Sequence, residues 1–417
     1  MSTISSTPTE KQGSLLQRLC RRALFAGFER IEYGRITITE NGETFQFGKL
    51  QRASDADVRI SVWQPSGYPA LLFRGTIGAG ETYANGDWDA DDLTGLIQIF
   101  AANQEAMSAM DGAATRVAQA IARWTHWLNR NTRSGSRRNI SAHYDLGNDF
   151  YEQFLDPTMN YSSGYFMDDE TTLEEASLEK LDRICRKLAL KPSDHVLEIG
   201  CGWGGFAVYA VQTTGCRVTA TTISQEQYDY TRARVEAAGL SDRVSVIKQD
   251  YRDLEGQYDK IVSVEMIEAV GHRFHKTFFK KCNELLKPEG ALCLQSITMR
   301  DQFHDRAVRS VDFIKAHIFP GGSLPCSARL TDVAKRYSDL QIVHVEDFSD
   351  HYARTLREWR KTFLLNQSTI DQLGYDLRFR RLWEYYLCYC EGGFLERTIG
   401  VSQWVMHKPL CRHIVAV

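Results

Sequence analysis

No two of the ten cysteines form a C-x-x-C pair, and no Cys/His group has the spacing of a zinc site. With no secretory leader visible, the expectation is free thiols in a reducing cytoplasm. His272 and His275 stand three apart without a further ligand nearby in the sequence, so no metal is expected. Lys and Arg total 50 against 53 Asp and Glu, a net charge of −3, which excludes a general basic field for nucleic acid. Affinity for phosphate or membrane must then come from local patches. No apolar run approaches the length needed to cross a bilayer, so a lipid would have to be met at the membrane surface. What is present is an ordinary globular composition, 43% hydrophobic and 25% charged, over 417 residues, a length that favours two domains.

The organisation follows from patterning. Residues 1–14 are polar and expected to be disordered. Residues 15–128 read as a smaller α+β domain. It opens with a basic amphipathic helix in which Leu15, Leu16, Leu19, Ala23 and Leu24 interleave with Arg18, Arg21 and Arg22. Such a helix suits either an anionic membrane surface or its own domain. A hairpin around Asn41-Gly42 spans Arg35 to Gly48, strands are expected over Val58–Trp63 and Ala70–Phe73, and a helix over Asp91–Met107. Residues 129–138 carry Arg130, Arg133, Arg137 and Arg138 with no acid, and read as a basic linker suited to phospholipid headgroups. Residues 139–417 form the main domain. Strands beginning at Val196, Arg217, Val244, Lys260 and Ala291 alternate with helix-length segments, which predicts a doubly wound, mainly parallel α/β sheet.

Within that domain residues 195–205 carry the most information. The apolar run Val196, Leu197, Ile199 enters a turn with four glycines in six positions, a strand ending where a ligand approaches bare backbone. Gly200, Gly202 and Gly205 satisfy G-x-G-x-x-G, the dinucleotide pattern. Glu198, just before them, would repel a pyrophosphate, and the next strand ends in Thr221-Thr222 without the acid that meets an NAD ribose. S-adenosylmethionine has no phosphate and carries two cationic groups that a carboxylate attracts. A methyl donor fits better than a hydride carrier.

From Asn139 onward the chain resembles the cyclopropane-fatty-acyl-phospholipid and mycolic acid cyclopropane synthases. The resemblance runs through His143–Asp149, Leu155–Ser162, the glycine loop, Thr222–Gln227, Gln249–Asp253, Glu265–Gly271, Ile318–Gly322 and Tyr385–Cys390. Residues 78–83 with Asp87-Trp88 resemble, more weakly, the extra domain of the longer bacterial members, which argues for a phospholipid substrate. The resemblance implies a Rossmann-like methyltransferase fold. It also implies a donor pocket of Tyr161, Ser162, Glu198, Gly200, Gly202, Gly204, Thr222, Gln227, Tyr251 and Arg252. The family's base is implied to be a bound bicarbonate, whose holders here would be Glu268, Tyr352, the backbone at Ile297, and the side chains of Ser163 and Gln295. The last two depart from the usual cysteine and histidine, and Ala269 replaces another histidine; the Gln and Ala choices resemble a plant and actinobacterial branch. Cys390 matches a cysteine long considered for the active site, although a buried structural thiol is the better reading.

The expected activity is transfer of the donor's methyl carbon to the cis double bond of an unsaturated phospholipid acyl chain. The product is either a cyclopropane or a methylene- or methyl-branched chain. Alkylating an alkene leaves a carbocation, which requires a dry site, a base and aromatic faces such as those of Tyr161, Tyr165 and Phe166. Alternatives are methylation of a soluble small molecule, which fold alone does not exclude, and a lipid-binding relative without catalysis. The expected setting is cytoplasmic, peripheral at the inner face of the membrane. The expected partners are phospholipid and, at most, a second copy in a homodimer.

Overall fold

The computed structural model describes residues 13–104 and 146–415. Most of the expected tail 1–14, all of the linker 129–138 and the end of the Asp91–Met107 segment lie outside the described residues. Contacts divide the chain into two units, one of residues 1–121 with 376–392, the other of 122–375 with 393–417. Sequence patterning predicts a single domain from 139 onward. The difference lies in the helix Leu377–Leu395, whose residues 377–392 pack with the first unit.

In the first unit the helix Leu15–Phe28 begins at a reciprocal capping box between Ser14 and Gln17. It docks through Cys20, Leu24, Gly27 and Phe28. The strands β1 (Gly34–Glu40) and β2 (Glu43–Lys49) pair antiparallel about Asn41-Gly42, whose φ values of 50° and 80° are those of the expected tight turn. β3 (Asp57–Val62) pairs parallel with β1, and β4 (Trp88–Ala90) closes the order β2-β1-β3-β4. Ala70–Phe73 is not a strand but part of the helix Gly67–Arg74. The apolar run was too short to separate the two periods, and Pro69 falls in the first helical turn, where a missing N–H costs nothing. The helix Thr76–Ala84 follows so closely that a Cβ on Gly78 would lie 2.0 Å from the Ala70 carbonyl oxygen. Asp92 caps the helix Leu93–Ala102, shorter than expected. The segment 376–392 completes this unit. Arg381 donates to the Tyr83 carbonyl at 2.8 Å and covers the Tyr83 ring, and Thr94 donates to Glu391 at 3.0 Å.

The second unit holds a seven-stranded sheet of order β10-β11-β9-β8-β5-β6-β7. β5 (His195–Ile199), β6 (Arg217–Thr222), β7 (Val244–Lys248), β8 (Tyr258–Val264) and β9 (Leu286–Met299) are mutually parallel. β10 (Gln341–Asp347) and β11 (Ile399–His407) add an antiparallel edge that the sequence reading missed. The protein is therefore α/β with a mainly parallel, doubly wound sheet. The chain winds one way from β5 to β6 and the other way to β8, so a crevice opens at the carboxyl ends of these strands. Apolar clusters lie about this sheet, one around Val196, Phe206 and Val262, the other around Leu197, Phe278 and Leu292.

Candidate active site

At the end of β5 the backbone N–H groups of Gly200 and Cys201 both donate to the Thr221 carbonyl, at 3.0 and 2.9 Å, locking the turn onto β6. Gly200, Gly202 and Gly204 have φ of 84°, 52° and 81°, values that side chains disfavour. Their surroundings differ. A Cβ on Gly200 would meet Met266 Cγ at 2.6 Å and one on Gly204 would meet Thr231 Cγ2 at 2.6 Å, but around Gly202 nothing lies within 4 Å. Gly202 thus faces open space. Glu198 is buried, its Oε2 has no hydrogen-bond partner among the described residues, and burial pushes its pKa up to about 8. An orphaned carboxylate oxygen in the strand that leads to an open glycine turn fits the cationic amino-acid end of S-adenosylmethionine.

The other expected donor residues are brought to the same end of the sheet. Ser162 is buried and its hydroxyl accepts a hydrogen bond from Lys180 at 2.8 Å. Tyr161 packs against Tyr151 and Trp359, with ring centroids 5.3 and 5.2 Å apart. Thr222 donates to Gln227 Oε1 at 2.8 Å, which fixes that amide at the end of β6. Tyr251 packs on Phe278, and Arg252 is held by Asp250, so the pair is positioned before any ligand arrives. Lys180, which the sequence reading passed over, is 1% exposed. Burial lowers its pKa to about 8, against the opposing pull of Glu265, Asp156 and Glu198.

Beyond β8 lie two part-buried carboxylates, Glu265 and Glu268. Glu265 was read only as part of a motif, yet it is the hub. Its Oε1 accepts from the Ser163 N–H at 3.0 Å and from Gln295 Nε2 at 2.7 Å, and its Oε2 accepts from the Tyr352 hydroxyl at 2.6 Å. The orientation of Gln295 is set from a distance. Lys187 can only donate, so Gln403 turns its oxygen to that ammonium at 2.6 Å. The Gln403 amide nitrogen then donates to Gln295 Oε1 at 3.0 Å, leaving the Gln295 NH2 aimed at Glu265. The pairing of Gln403 with Gln295 across β11 and β9 makes this possible, and Glu346 on β10 anchors Lys187. Glu268 accepts from the Ile297 N–H at 2.6 Å and from Ser296 Oγ at 2.9 Å. Burial, and next the charge of Glu265, push its pKa up to about 8.

Several expectations change. The Ser163 hydroxyl donates to the Gly164 carbonyl at 2.9 Å, so this residue offers its backbone N–H rather than its side chain. Tyr165 and Phe166 carry the guanidinium groups of Arg183 and Arg354 at 4.1 Å, so their faces serve the protein's own cations. The aromatic surfaces beside Tyr352 are instead Phe394, stacked on it at 4.5 Å, and Trp359, edge-on at 6.1 Å with Tyr161 behind it. Cys390 is half-buried, not buried, and lies on the segment that belongs to the first unit. His272 and His275 are joined by His304, and burial and then the Arg329 charge depress the first two. A group that sequence spacing did not suggest for a metal, His407, Cys411 and His413, has its donor atoms within 4.8 Å. Cys411 Sγ already meets His413 Nδ1 at 3.3 Å, and the Lys260 ammonium faces both imidazoles, which disfavours a further cation.

The family profile described as Mycolic acid cyclopropane synthetase matches residues 131–404. The chain belongs to the mycolic acid cyclopropane synthetase family. It is 37% identical over 350 residues to the tuberculostearic acid methyltransferase UfaA1 of Mycobacterium tuberculosis, covering 80% of this chain and 79% of that one. It is 35% identical over 366 residues to the cyclopropane-fatty-acyl-phospholipid synthase of Escherichia coli K12, covering 86% and 90%. Among solved structures, the mycolic acid cyclopropane synthase CmaA1 complexed with SAH and CTAB superposes with a TM-score of 0.61 at 31% identity, over 65% of this chain and 98% of that one. As a cyclopropane-synthetase family member the protein is an S-adenosylmethionine-dependent methyltransferase. Among the described residues no helix is long and apolar enough to cross a membrane.

Proposed function

We propose that the enzyme transfers the methyl carbon of S-adenosylmethionine to the cis double bond of an unsaturated phospholipid acyl chain, giving a cyclopropane or a methylene- or methyl-branched chain. The observation that carries this reading is the hydrogen-bonded carboxylate centre of Glu265 and Glu268 beside an aromatic wall, next to the open glycine turn. An alkene acceptor needs no base to make it a nucleophile, but it needs one afterwards to take a proton from the cation. S-adenosylmethionine, when bound, supplies an electrophilic methyl group. Glu198 holds its amino-acid end, Gly202 lets it approach the backbone, and Thr222, Gln227 and Tyr251 frame its nucleoside. Trp359 and Tyr161 exclude water and offer π faces to the developing cation.

The phospholipid reading is supported by the first unit. The helix Leu15–Phe28 turns Cys20, Leu24 and Phe28 inward, yet leaves Leu15 66%, Leu16 53% and Leu19 53% exposed beside the exposed Arg18 and Arg22. Apolar side chains flanked by arginine suit the headgroup region of an anionic leaflet, here the cytoplasmic face of the membrane. Incubation with isotopically labelled donor and vesicles of a cis-monounsaturated anionic phospholipid is expected to add one labelled carbon per acyl chain, read by mass spectrometry. Label appearing in a soluble acceptor and never in lipid would sink the proposal. Replacing Leu16 and Leu19 together by glutamate is expected to reduce vesicle co-sedimentation by roughly tenfold or more, since each loses the transfer energy of a leucine. Donor affinity should be unchanged.

A further inference from the structure

The residues that the family resemblance gives to a bicarbonate do not surround an open cradle in this chain. The Ser163 N–H, the Gln295 amide and the Tyr352 hydroxyl all donate to the two oxygens of Glu265, at 3.0, 2.7 and 2.6 Å. The remaining donor, the Ile297 N–H, is taken by Glu268 at 2.6 Å. A glutamate carboxylate and a bicarbonate share a planar O–C–O group and a single negative charge, so these donors satisfy one as well as the other. They do not satisfy both at once, and bicarbonate therefore does not fit the centre as it stands. Resting on the alkene-methylating function proposed above, we propose that Glu265 is itself the base of the reaction, a catalytic carboxylate built into the chain where the family resemblance implies a bound ion.

Three further observations support the assignment. Glu265 has φ of 48°, a left-handed backbone value that a glutamate adopts at a cost of about 1 kcal/mol, and such strain gathers where function requires it. The amide chain from Lys187 through Gln403 to Gln295 has one consistent direction, and it presents a donor, never an acceptor, to Glu265. Glu268 has the higher affinity for a shared proton, because one of its oxygens is covered and without a partner among the described residues, while both oxygens of Glu265 are served by donors. The pair then carries one negative charge, on Glu265, and Glu268 remains the neutral neighbour.

The step balances without an external ion. Once the methyl carbon has joined the acyl chain, a C–H bond of that carbon, or of the chain carbon beside the cation, breaks. Its proton passes to a Glu265 oxygen, and its electron pair closes the three-membered ring or forms the new double bond. Glu265 begins as carboxylate, ends as carboxylic acid, and returns the proton to water before the next cycle.

The test uses the full-length enzyme with vesicles in buffer freed of carbon dioxide. Wild-type turnover is expected to stay within about twofold of its value with bicarbonate added, since the base is internal. Glu265→Gln keeps the shape but not the basicity, and turnover should fall by roughly 100-fold or more. Glu265→Gly suits the positive φ and opens a space lined by the same three donors, so added bicarbonate or formate should restore part of its turnover. Both variants should bind S-adenosylmethionine within about threefold of wild type by calorimetry, as the donor loop is untouched. A wild-type enzyme that stops in bicarbonate-free buffer and restarts on its addition overturns the inference while leaving the proposed function standing. That wild-type measurement decides even where a variant fails to fold. A wild type that transfers no label to lipid under either condition overturns the proposed function instead.

Discussion

Gly202→Val is expected to lower S-adenosylmethionine affinity by roughly 100-fold or more while changing the melting temperature by only a few degrees, at a backbone cost of about 1–2 kcal/mol. The three glycines of the loop separate this effect from loss of the fold. At Gly202 the added side chain meets no protein atom within 4 Å, so its bulk enters the space left for the donor. At Gly204 the same change drives a Cβ to 2.6 Å from a methyl group of Thr231, a stiff and fully buried residue whose hydroxyl donates to the Gly202 carbonyl. Gly204→Val should therefore cost about 1–3 kcal/mol more in packing and lower the melting temperature further. Gly200→Val falls between them, because it presses on Met266, an unbranched side chain that yields more readily than Thr231. Thermal unfolding with and without the donor reads both quantities. A Gly202→Val enzyme that is still stabilised by the donor as strongly as wild type contradicts the placement of the pocket.

Lys180→Met is expected to lower turnover near neutral pH by roughly tenfold or more and to displace the acid limb of the pH–rate profile to higher pH. Lys180 is a buried cation, and its charge favours the ionised forms of Glu265 and Glu198. Removing an ammonium raises the pKa of neighbouring carboxyls, so at any given pH a smaller fraction is carboxylate. Turnover of the variant should then climb as the pH rises and Glu265 ionises, narrowing the gap to wild type. Methionine nearly matches lysine in length, which separates charge from packing. A variant slowed equally at every pH would show that Lys180 acts only through its hydrogen bond to Ser162.

The parallel part of the sheet was legible because its strands are buried on both faces and so appear as short apolar runs, as in Val196–Ile199 and Ile261–Val264. The antiparallel edge was not. β10 alternates exposed and half-covered positions and carries Glu346 and Asp347, so it has no such run. The donor loop could be read because its parts are adjacent in sequence. The carboxylate centre was legible only through the resemblance, which groups Ser163, Gln295, Tyr352 and Glu268 but omits Glu265. These residues are far apart in sequence and meet only after the chain has folded. Two signals were available nonetheless. Lys180 interrupts the apolar stripe formed by Ala176, Leu181, Ile184 and Leu188 on the helix Leu173–Leu188, a place where a charge must have a purpose. Glu265 directly follows the apolar end of β8, three residues before the glutamate that the sequence reading had singled out.

The segment 376–392, which completes the first unit, has a bearing on the order in which the protein is made. Tyr83 waits for Arg381, and Thr94 for Glu391, until nearly the whole chain has left the ribosome. The unit that emerges first therefore stays incomplete until the strands β5 to β10 of the second unit have been made, and only β11 is still to come. During synthesis the surfaces awaiting this helix stay uncovered, a period of exposure to chaperones and proteases. A chain cut short just before residue 376 would leave them uncovered permanently.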